Sequence, residues 1–296
     1  MALDSLYVAL RWGYFSALML TTGGAFYVVW LAPGDFRRYL AGRLNLVLRS
    51  TLWVTLGCAS VILSLQLVIM SGDWRNLTDG DIWQAVLTTT VGKAWGVQIL
   101  LALLAFLGLM ARDVSRYRFI LLVCVTQWCG MAYIGHAAGL EGGLGIAQRA
   151  NHVLHLISSA LWAGGLPPLL YLMVEGRNPA VRKDAIATMM RFSRYGHVWV
   201  MLNIVTGAFS ALLLLGWPPP VSLYSGLLLV KAALVLVMIA LALFNRYWLV
   251  PQLGRENGES VLRKLVTYVW IEIGLASLVL LLVSYFATLS PYPVNG

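Results

Sequence analysis

Long runs of apolar residues, separated by short charged or Gly/Pro-containing segments, extend along the whole chain. A hydrocarbon core of ~30 Å requires about 20 apolar residues in a helix that rises about 1.5 Å per residue. Eight runs reach that length, near residues 5–32, 46–70, 90–111, 117–138, 149–174, 190–215, 222–249 and 264–289. Because the runs are continuous and do not alternate with polar residues, they predict membrane-spanning helices and disfavour a β-barrel.

The pattern therefore predicts an all-α membrane protein, with eight transmembrane helices forming a single domain over residues 1–296. The longest connection, roughly 71–89, is too short for a soluble domain. Composition agrees, since 60% of the residues are hydrophobic and 11% are charged, against about 25% charged residues in soluble domains. All three cysteines lie inside apolar runs, so we expect neither a disulfide framework nor a paired-cysteine metal motif.

The net charge of +9 has an uneven distribution that predicts orientation. Sixteen of the 21 Lys and Arg residues lie in or beside the loops that follow the first, third, fifth and seventh runs. The positive-inside rule places these loops in the cytoplasm and both termini outside. The bilayer thus explains the basic charge, and we expect no nucleic-acid partner. The first run has no basic segment before it and is too long for a signal peptide, which predicts an uncleaved anchor.

A weak internal repeat relates the two halves of the chain. Thr21-Thr22-Gly23-Gly24 ends the first run, and Trp162-Ala163-Gly164-Gly165 lies in the fifth. Residues 1–140 and 149–296 would then form parallel four-helix repeats about an axis along the membrane normal. Small-residue patterns also recur by chance in membrane helices, because they allow close helix approach. Both interpretations remain open on the sequence.

Three of the four histidines lie around one outward loop. His152 and His155 open the fifth run and share one helix face at spacing i, i+3, and His136 closes the preceding run. Three neutral imidazoles suit a late first-row metal, with Cu²⁺ bound most strongly. Met70 and Met131 could add thioether ligands at the same side. The alternative is that each histidine donates to a carbonyl at a helix end.

Ionisable residues inside the runs form a second group of candidates. Lys231 in the seventh run and Glu272 in the eighth would each cost roughly 2.5–3.5 kcal/mol in lipid, which marks them as functional by default. Their expected depths differ, so we expect no direct ion pair between them. His197 approaches the depth of Glu272 from the inner side. A His197/Glu272 pair predicts an inner relay for a cation or proton, with a structural hydrogen bond between helices as the alternative.

Several catalytic signatures are missing from the sequence. The chain has no P-loop, no Gly-rich dinucleotide loop, no G-x-S-x-G motif and no H-E-x-x-H motif. These patterns would carry an ATP-driven pump or a membrane hydrolase. We therefore expect a protein that is not an enzyme.

The motifs of this chain resemble those of the copper resistance protein D family (CopD/PcoD), which are bacterial inner-membrane proteins. The resemblance rests on the H-x-x-H-x6-W-x-G-G pattern from His152 to Gly165 and on a set of shorter motifs. These are Gly92-Lys93-Ala94-Trp95, Gly135-His136-Ala137, Arg191-Phe192-Ser193, Thr206-Gly207, Tyr224-Ser225-Gly226 with Lys231, Asn245-Arg246, and Glu272 followed by Pro291. Gln98 departs from the family pattern, in which an Arg is expected nearby.

The resemblance implies eight spans, a copper ion as the substrate, and a periplasmic copper-binding partner of the CopC type. With the histidine cluster, it predicts an inner-membrane protein that takes copper at His136, His152 and His155 and passes it inward. Two other hypotheses stay open. One is a b-type haem electron-transfer protein with His136 and His155 as axial ligands, and the other is a scaffold that docks the copper carrier without transporting copper.

Overall fold

The computed structural model describes residues 2–134, 141–253, 258–286 and 288–289, which are almost entirely helical and contain no strand. Ten α-helices make up the described chain. They are α1 (Ala2–Phe26), α2 (Phe36–Ser71), α3 (Gly80–Thr88), α4 (Thr90–Leu107), α5 (Asp113–Met131), α6 (Gly142–Ala163), α7 (Leu166–Glu175), α8 (Arg182–Leu215), α9 (Leu223–Phe244) and α10 (Gly258–Phe286). Two π-helical turns, Tyr27–Leu31 and Asn245–Leu249, extend α1 and α9.

The prediction of an all-helical membrane protein is confirmed. Within the described residues, seven segments are long and apolar enough to cross a bilayer. The remaining predicted span, 117–138, corresponds to α5, a helix of 19 residues that packs against α1, α2 and α4. The expected count of eight is therefore approximately met, with seven candidate spans and the 19-residue α5 among the described residues.

Some predicted boundaries differ from those of the structure. The second span was expected to begin near residue 46, but α2 begins at Phe36. The helix continues through the charged stretch because Phe36, Leu40, Leu44 and Leu48 are buried at spacing i, i+4 and hold its first turns on the core. The connection 71–89 is also partly helical, since it contains a 3₁₀ turn and α3.

The fifth predicted span, 149–174, is a broken helix. It divides at Gly164 and Gly165 into α6 and α7. Pro167 and Pro168 occupy the first turn of α7, where the missing N–H groups have no helical partner to lose. The break places α6 and α7 against different neighbours, since α6 packs on α1 and α8 while α7 also packs on α10.

Helix α1 lies at the centre of the bundle and contacts α2, α5, α6 and α10. Its side chains Tyr14, Leu18 and Ala25 are almost fully buried. Helices α8 and α9 instead carry many exposed large apolar residues, including Leu229 and Leu236. In a chain of this composition, these exposed faces are surfaces for lipid acyl chains.

The backbones of α1 and α6 touch at the two double-glycine motifs. A Cβ atom on Gly23 would lie 2.1 Å from the carbonyl oxygen of Gly164, and one on Gly164 would lie 2.1 Å from that of Met19. Only glycine permits so close an approach. As the first and fifth spans, α1 and α6 run in the same direction. Residues equally distant from this contact therefore lie at similar depth, which sets Arg11 level with His152 and Tyr14 level with His155.

The two halves also share neighbour relations. Helix α2 packs on α1 as α8 packs on α6, and α5 packs on α4 as α10 packs on α9. These relations are those expected of two parallel four-helix repeats, 1–140 and 149–296. The repeat stays a prediction, since similar neighbours arise in any bundle of antiparallel hairpins.

Candidate functional site

His152 and His155 lie on α6 at spacing i, i+3 and are both partly buried. This spacing directs the two imidazoles to one side of the helix. His136, the third predicted ligand, lies outside the residues that the structure describes. Within the described ranges, no three His, Cys, Asp or Glu side chains lie together in a way that could hold a metal ion. The structure thus brings two of the three predicted ligands to one helix face.

A continuous polar seam joins α6 to α8 around His155. On the C-terminal side of His155 along α6, Asn203 Nδ2 donates to Ser158 Oγ at 3.1 Å and to Ser159 Oγ at 2.8 Å. On the N-terminal side, Asn151 Nδ2 donates to the Thr206 carbonyl at 2.9 Å. The same amide donates to Ser210 Oγ at 2.8 Å, and Gln148 donates to that hydroxyl at 3.3 Å. Hydrogen bonds of this kind stabilise helix pairs in a membrane and fix how they are rotated.

The seam fixes the ring of His155. Its Nδ1 lies 2.9 Å from Thr206 Oγ1, and the Thr206 hydroxyl donates its own hydrogen to the Leu202 carbonyl at 2.6 Å. With its hydrogen directed to Leu202, Thr206 accepts from His155, an arrangement in which Nδ1 carries the ring proton. The Asn203 carbonyl offers a second acceptor to the same ring. Neutral His155 therefore keeps the lone pair on Nε2, which is the atom that a metal would bind.

Two basic side chains act on the histidine pair. Lys231 of α9 acts electrostatically on both His152 and His155, and Arg11 of α1 acts on His152. Arg11 is buried, and its guanidinium lies 5.5 Å from the ring centre of Tyr7 and 5.2 Å from that of Phe15. A cation bound at the histidines would feel repulsion from both groups. These charges oppose tight binding of a cation at the histidine pair.

The two methionines considered as extra ligands have different settings. Met131 is buried in the main core at the end of α5, while Met70 is exposed near the end of α2. Trp162 is buried two residues before the break between α6 and α7. The roles of Met70 and Met131 as copper ligands remain predictions.

The inner candidates, His197 and Glu272, do not pair with each other, and this expectation is corrected. His197 is exposed on α8, where Nδ1 lies 2.9 Å from the Ser193 carbonyl and Nε2 lies 3.0 Å from the Tyr247 hydroxyl. Glu272 is buried on α10 and accepts from Asn245 Nδ2 at 2.7 Å. Each side chain is instead bound by a residue of the π-helical turn Asn245–Leu249.

Two groups of site residues were missed by the sequence analysis. The first is the set of partners on α8, Asn203, Thr206 and Ser210, and the second is Asn245, which holds Glu272. The residues on α8 recur every three or four positions within an apolar span. Polar residues at that spacing mark one buried helix face, and this signal could have identified the seam.

Comparison with known proteins gives two matching family descriptions. "Copper resistance protein D-like, N-terminal domain" matches residues 1–146, and "Copper resistance protein D" matches residues 186–286. No solved structure matches the chain.

Two curated relatives match nearly the whole chain. It is 38% identical to the inner membrane protein YebZ of Escherichia coli (strain K12), over 97% of this chain and 98% of the relative. It is 28% identical to copper resistance protein D of Pseudomonas syringae pv. tomato, over 97% of each chain. The family descriptions cover most of the sequence, and the multi-span helical fold agrees with a membrane protein of this kind. The chain belongs to the copper resistance protein D family.

Proposed function

We propose that this protein takes copper from the periplasm at a site formed by His136, His152 and His155 and passes it toward the cytoplasm. The observation that carries the proposal is the hydrogen bond between His155 Nδ1 and Thr206. Metal-binding histidines typically donate their other ring N–H to a protein acceptor, which fixes the tautomer and the ring orientation. Thr206 holds His155 in this way.

The chemistry of the site supports copper as cargo. Imidazole nitrogen suits late first-row metals, and copper binds such ligands most strongly among the divalent ions. Arg11 and Lys231 oppose this affinity by placing positive charge beside the histidines. A transport site must bind its ion well enough to accept it and weakly enough to release it. The combination of histidine ligands and nearby cations meets both requirements.

Family membership supports the membrane location and copper as the cargo. One relative is named an inner membrane protein and another a copper resistance protein. We assign this chain to the bacterial inner membrane, with both termini in the periplasm as the loop charges predict. A periplasmic copper carrier of the CopC type would then deliver copper to the outer ends of α5 and α6. Because the sequence has no ATP-binding motif, an ion gradient or ligand exchange would drive the transfer.

The intramembrane residues Lys231, Glu272 and His197 complete the proposed route. Lys231 acts on His152 and His155, whereas Glu272 lies on α10 and His197 lies on α8. The π-helical turn Asn245–Leu249 connects the last two, because Asn245 binds Glu272 and Tyr247 binds His197. We therefore assign the inner relay to this turn rather than to a direct contact.

Copper flux into proteoliposomes tests the proposal. Vesicles that hold a copper-sensitive dye should report uptake with the native protein and with Asn178→Ala, an exposed-loop control. Uptake should fall to the level of protein-free vesicles when His152 and His155 are both replaced by Ala. Copper binding without flux would show a docking scaffold and contradict transport. A stoichiometric Soret band in the purified protein would instead establish the haem alternative.

A further inference from the structure

Asn245 and Glu272 form a buried polar pair between α9 and α10. Glu272 is 2% exposed and Asn245 is 8% exposed. Asn245 Nδ2 donates to Glu272 Oε1 at 2.7 Å, but Asn245 Oδ1 is buried and finds no donor among the described residues. Glu272 lies midway along the 29 residues of α10, about 21 Å from either end at 1.5 Å per residue. Counted from Lys264, where the eighth apolar run begins, Glu272 lies about 12 Å inside the run, so the pair is buried within the span.

Counting hydrogens shows what the pair lacks. An amide contributes one acceptor oxygen and two N–H donors, whereas an ionised carboxylate contributes acceptors only. With Glu272 ionised, the Asn245 oxygen faces a group that cannot donate, and an unpaired charge remains in a region without water. Both conditions are costly in a low-dielectric interior. One hydrogen on the Glu272 carboxyl removes the charge and supplies the missing donor to Asn245 Oδ1.

We propose that Glu272 and Asn245 form a proton-binding site, in which the Glu272 carboxyl is protonated at neutral pH and donates to Asn245 Oδ1 while accepting from Asn245 Nδ2. The acid and the amide then form a closed pair with two hydrogen bonds, in which both Glu272 oxygens and both Asn245 side-chain polar atoms have a partner. The site rests on the contact between α9 and α10, whereas its use in driving copper transfer rests on the proposed function.

The charged and titratable groups near the pair are occupied elsewhere. Arg246 Nη1 lies 3.8 Å from Met190 Sδ, and the ring of Tyr268 packs edge-on against Phe244. No charged group in the described part of the chain acts on Glu272. Other titratable groups on the surrounding helices bind different partners: Tyr7, Arg11, Tyr14, Tyr171, Glu175 and Tyr247. The rest lie nearer to a helix end than Glu272 does: Asp4, Lys231, Glu259, Arg263, Lys264 and Tyr285. A proton is therefore the available counter-charge.

The backbone around Asn245 is consistent with a site that changes state. Asn245 begins the π-helical turn that ends α9, and such turns occur frequently at functional sites. Loss of the proton would place a carboxylate opposite the Asn245 oxygen and weaken the contact between α9 and α10. Proton exchange at Glu272 would thus be coupled to movement of the turn that also carries Tyr247.

Infrared spectroscopy of the purified full-length protein tests the proton site directly. The native protein at neutral pH should show the carbonyl band of a protonated carboxyl, and Glu272→Gln should remove it. Glu175→Gln is the matched control, because Glu175 accepts from two tyrosines and lies 3.8 Å from Arg43. That control should leave the band unchanged. Absence of the band from the native protein, or its survival in Glu272→Gln, would overturn the proposal.

Thermal stability gives a second, independent readout. Gln reproduces the protonated acid, since its amide N–H can donate to Asn245 Oδ1 while its oxygen accepts from Nδ2. Glu272→Gln should therefore melt at or above the native temperature, while Glu272→Leu should melt lower because it leaves Asn245 without a partner. A Gln variant that melts lower than the native protein, or a native melting temperature that depends on Na⁺ rather than on pH, would show that a metal cation occupies the pair. Neither readout involves copper, so copper-flux results leave this test unaffected.

Discussion

Replacing Thr206 by Val tests whether the hydrogen bond to His155 prepares that residue to bind metal. The two side chains have nearly the same shape, but Val cannot accept from Nδ1. The Thr206 hydroxyl also donates to the Leu202 carbonyl, which is a weak addition to the helix, so its loss should change stability little. The change therefore removes the acceptor at 2.9 Å and leaves the packing of α6 on α8 in place.

The expected cost follows from the partners that remain. Removal of an outer-shell partner typically lowers metal affinity about 10- to 100-fold. Here the Asn203 carbonyl stays beside the ring as a second acceptor, so we expect the lower end of that range. A loss of about tenfold corresponds to about 1.4 kcal/mol of binding free energy. Without a fixed tautomer, part of the population would protonate Nε2 and block the lone pair that binds copper.

The assay is competition for copper between the purified protein and a chromophoric chelator, with melting temperature as the check on folding. Thr206→Ser is the matched control, since it keeps the hydroxyl and should bind copper nearly as the native protein does. Native affinity in a well-folded Thr206→Val variant would refute the argument. Equal losses for Ser and Val would also refute it, because the hydroxyl would then not be the cause.

Two further predictions concern packing and orientation. Gly164→Ala should destabilise the protein by about 1–3 kcal/mol through overpacking, because the new Cβ would lie 2.1 Å from the Met19 carbonyl oxygen. Gly57→Ala is the control, since open space surrounds Gly57, and it should leave the melting temperature nearly unchanged. Equal effects of the two changes on the melting temperature would contradict the close contact. In a background without native cysteines, a cysteine at exposed Gly143 should react with an impermeant reagent from the periplasm and one at exposed Asn178 should not. Labelling at Asn178 from that side would reverse the orientation.

The sequence predicted the membrane fold well, because the length of an apolar run depends on bilayer thickness and on little else. It predicted less well where packing decides. The helical start of α2 at Phe36 depends on burial of apolar residues inside a charged stretch, and the backbone contact of Gly164 with α1 depends on how the two helices pack. Both features arise from contacts between segments that are distant in the sequence.

The candidate site shows the same division. The i, i+3 spacing of His152 and His155 follows from helix geometry alone, so their common face could be predicted. The pairing of His197 with Glu272 was wrong because each side chain is bound by a different residue of the π-helical turn, Tyr247 for His197 and Asn245 for Glu272. The acceptor role of Thr206 depends on the rotation of α8 against α6, which apolar patterns do not specify.

Metal analysis of the purified protein most directly tests the central claim that the outer histidines hold copper. We predict stoichiometric copper in the native protein and in His197→Ala, the matched control for the fourth histidine. The variant with His136, His152 and His155 all replaced by Ala should lose it. His152→Ala or His155→Ala alone should lose most of the affinity and the double change little more, because ligands of one ion act together. Undiminished stoichiometric copper in the triple variant would contradict the account.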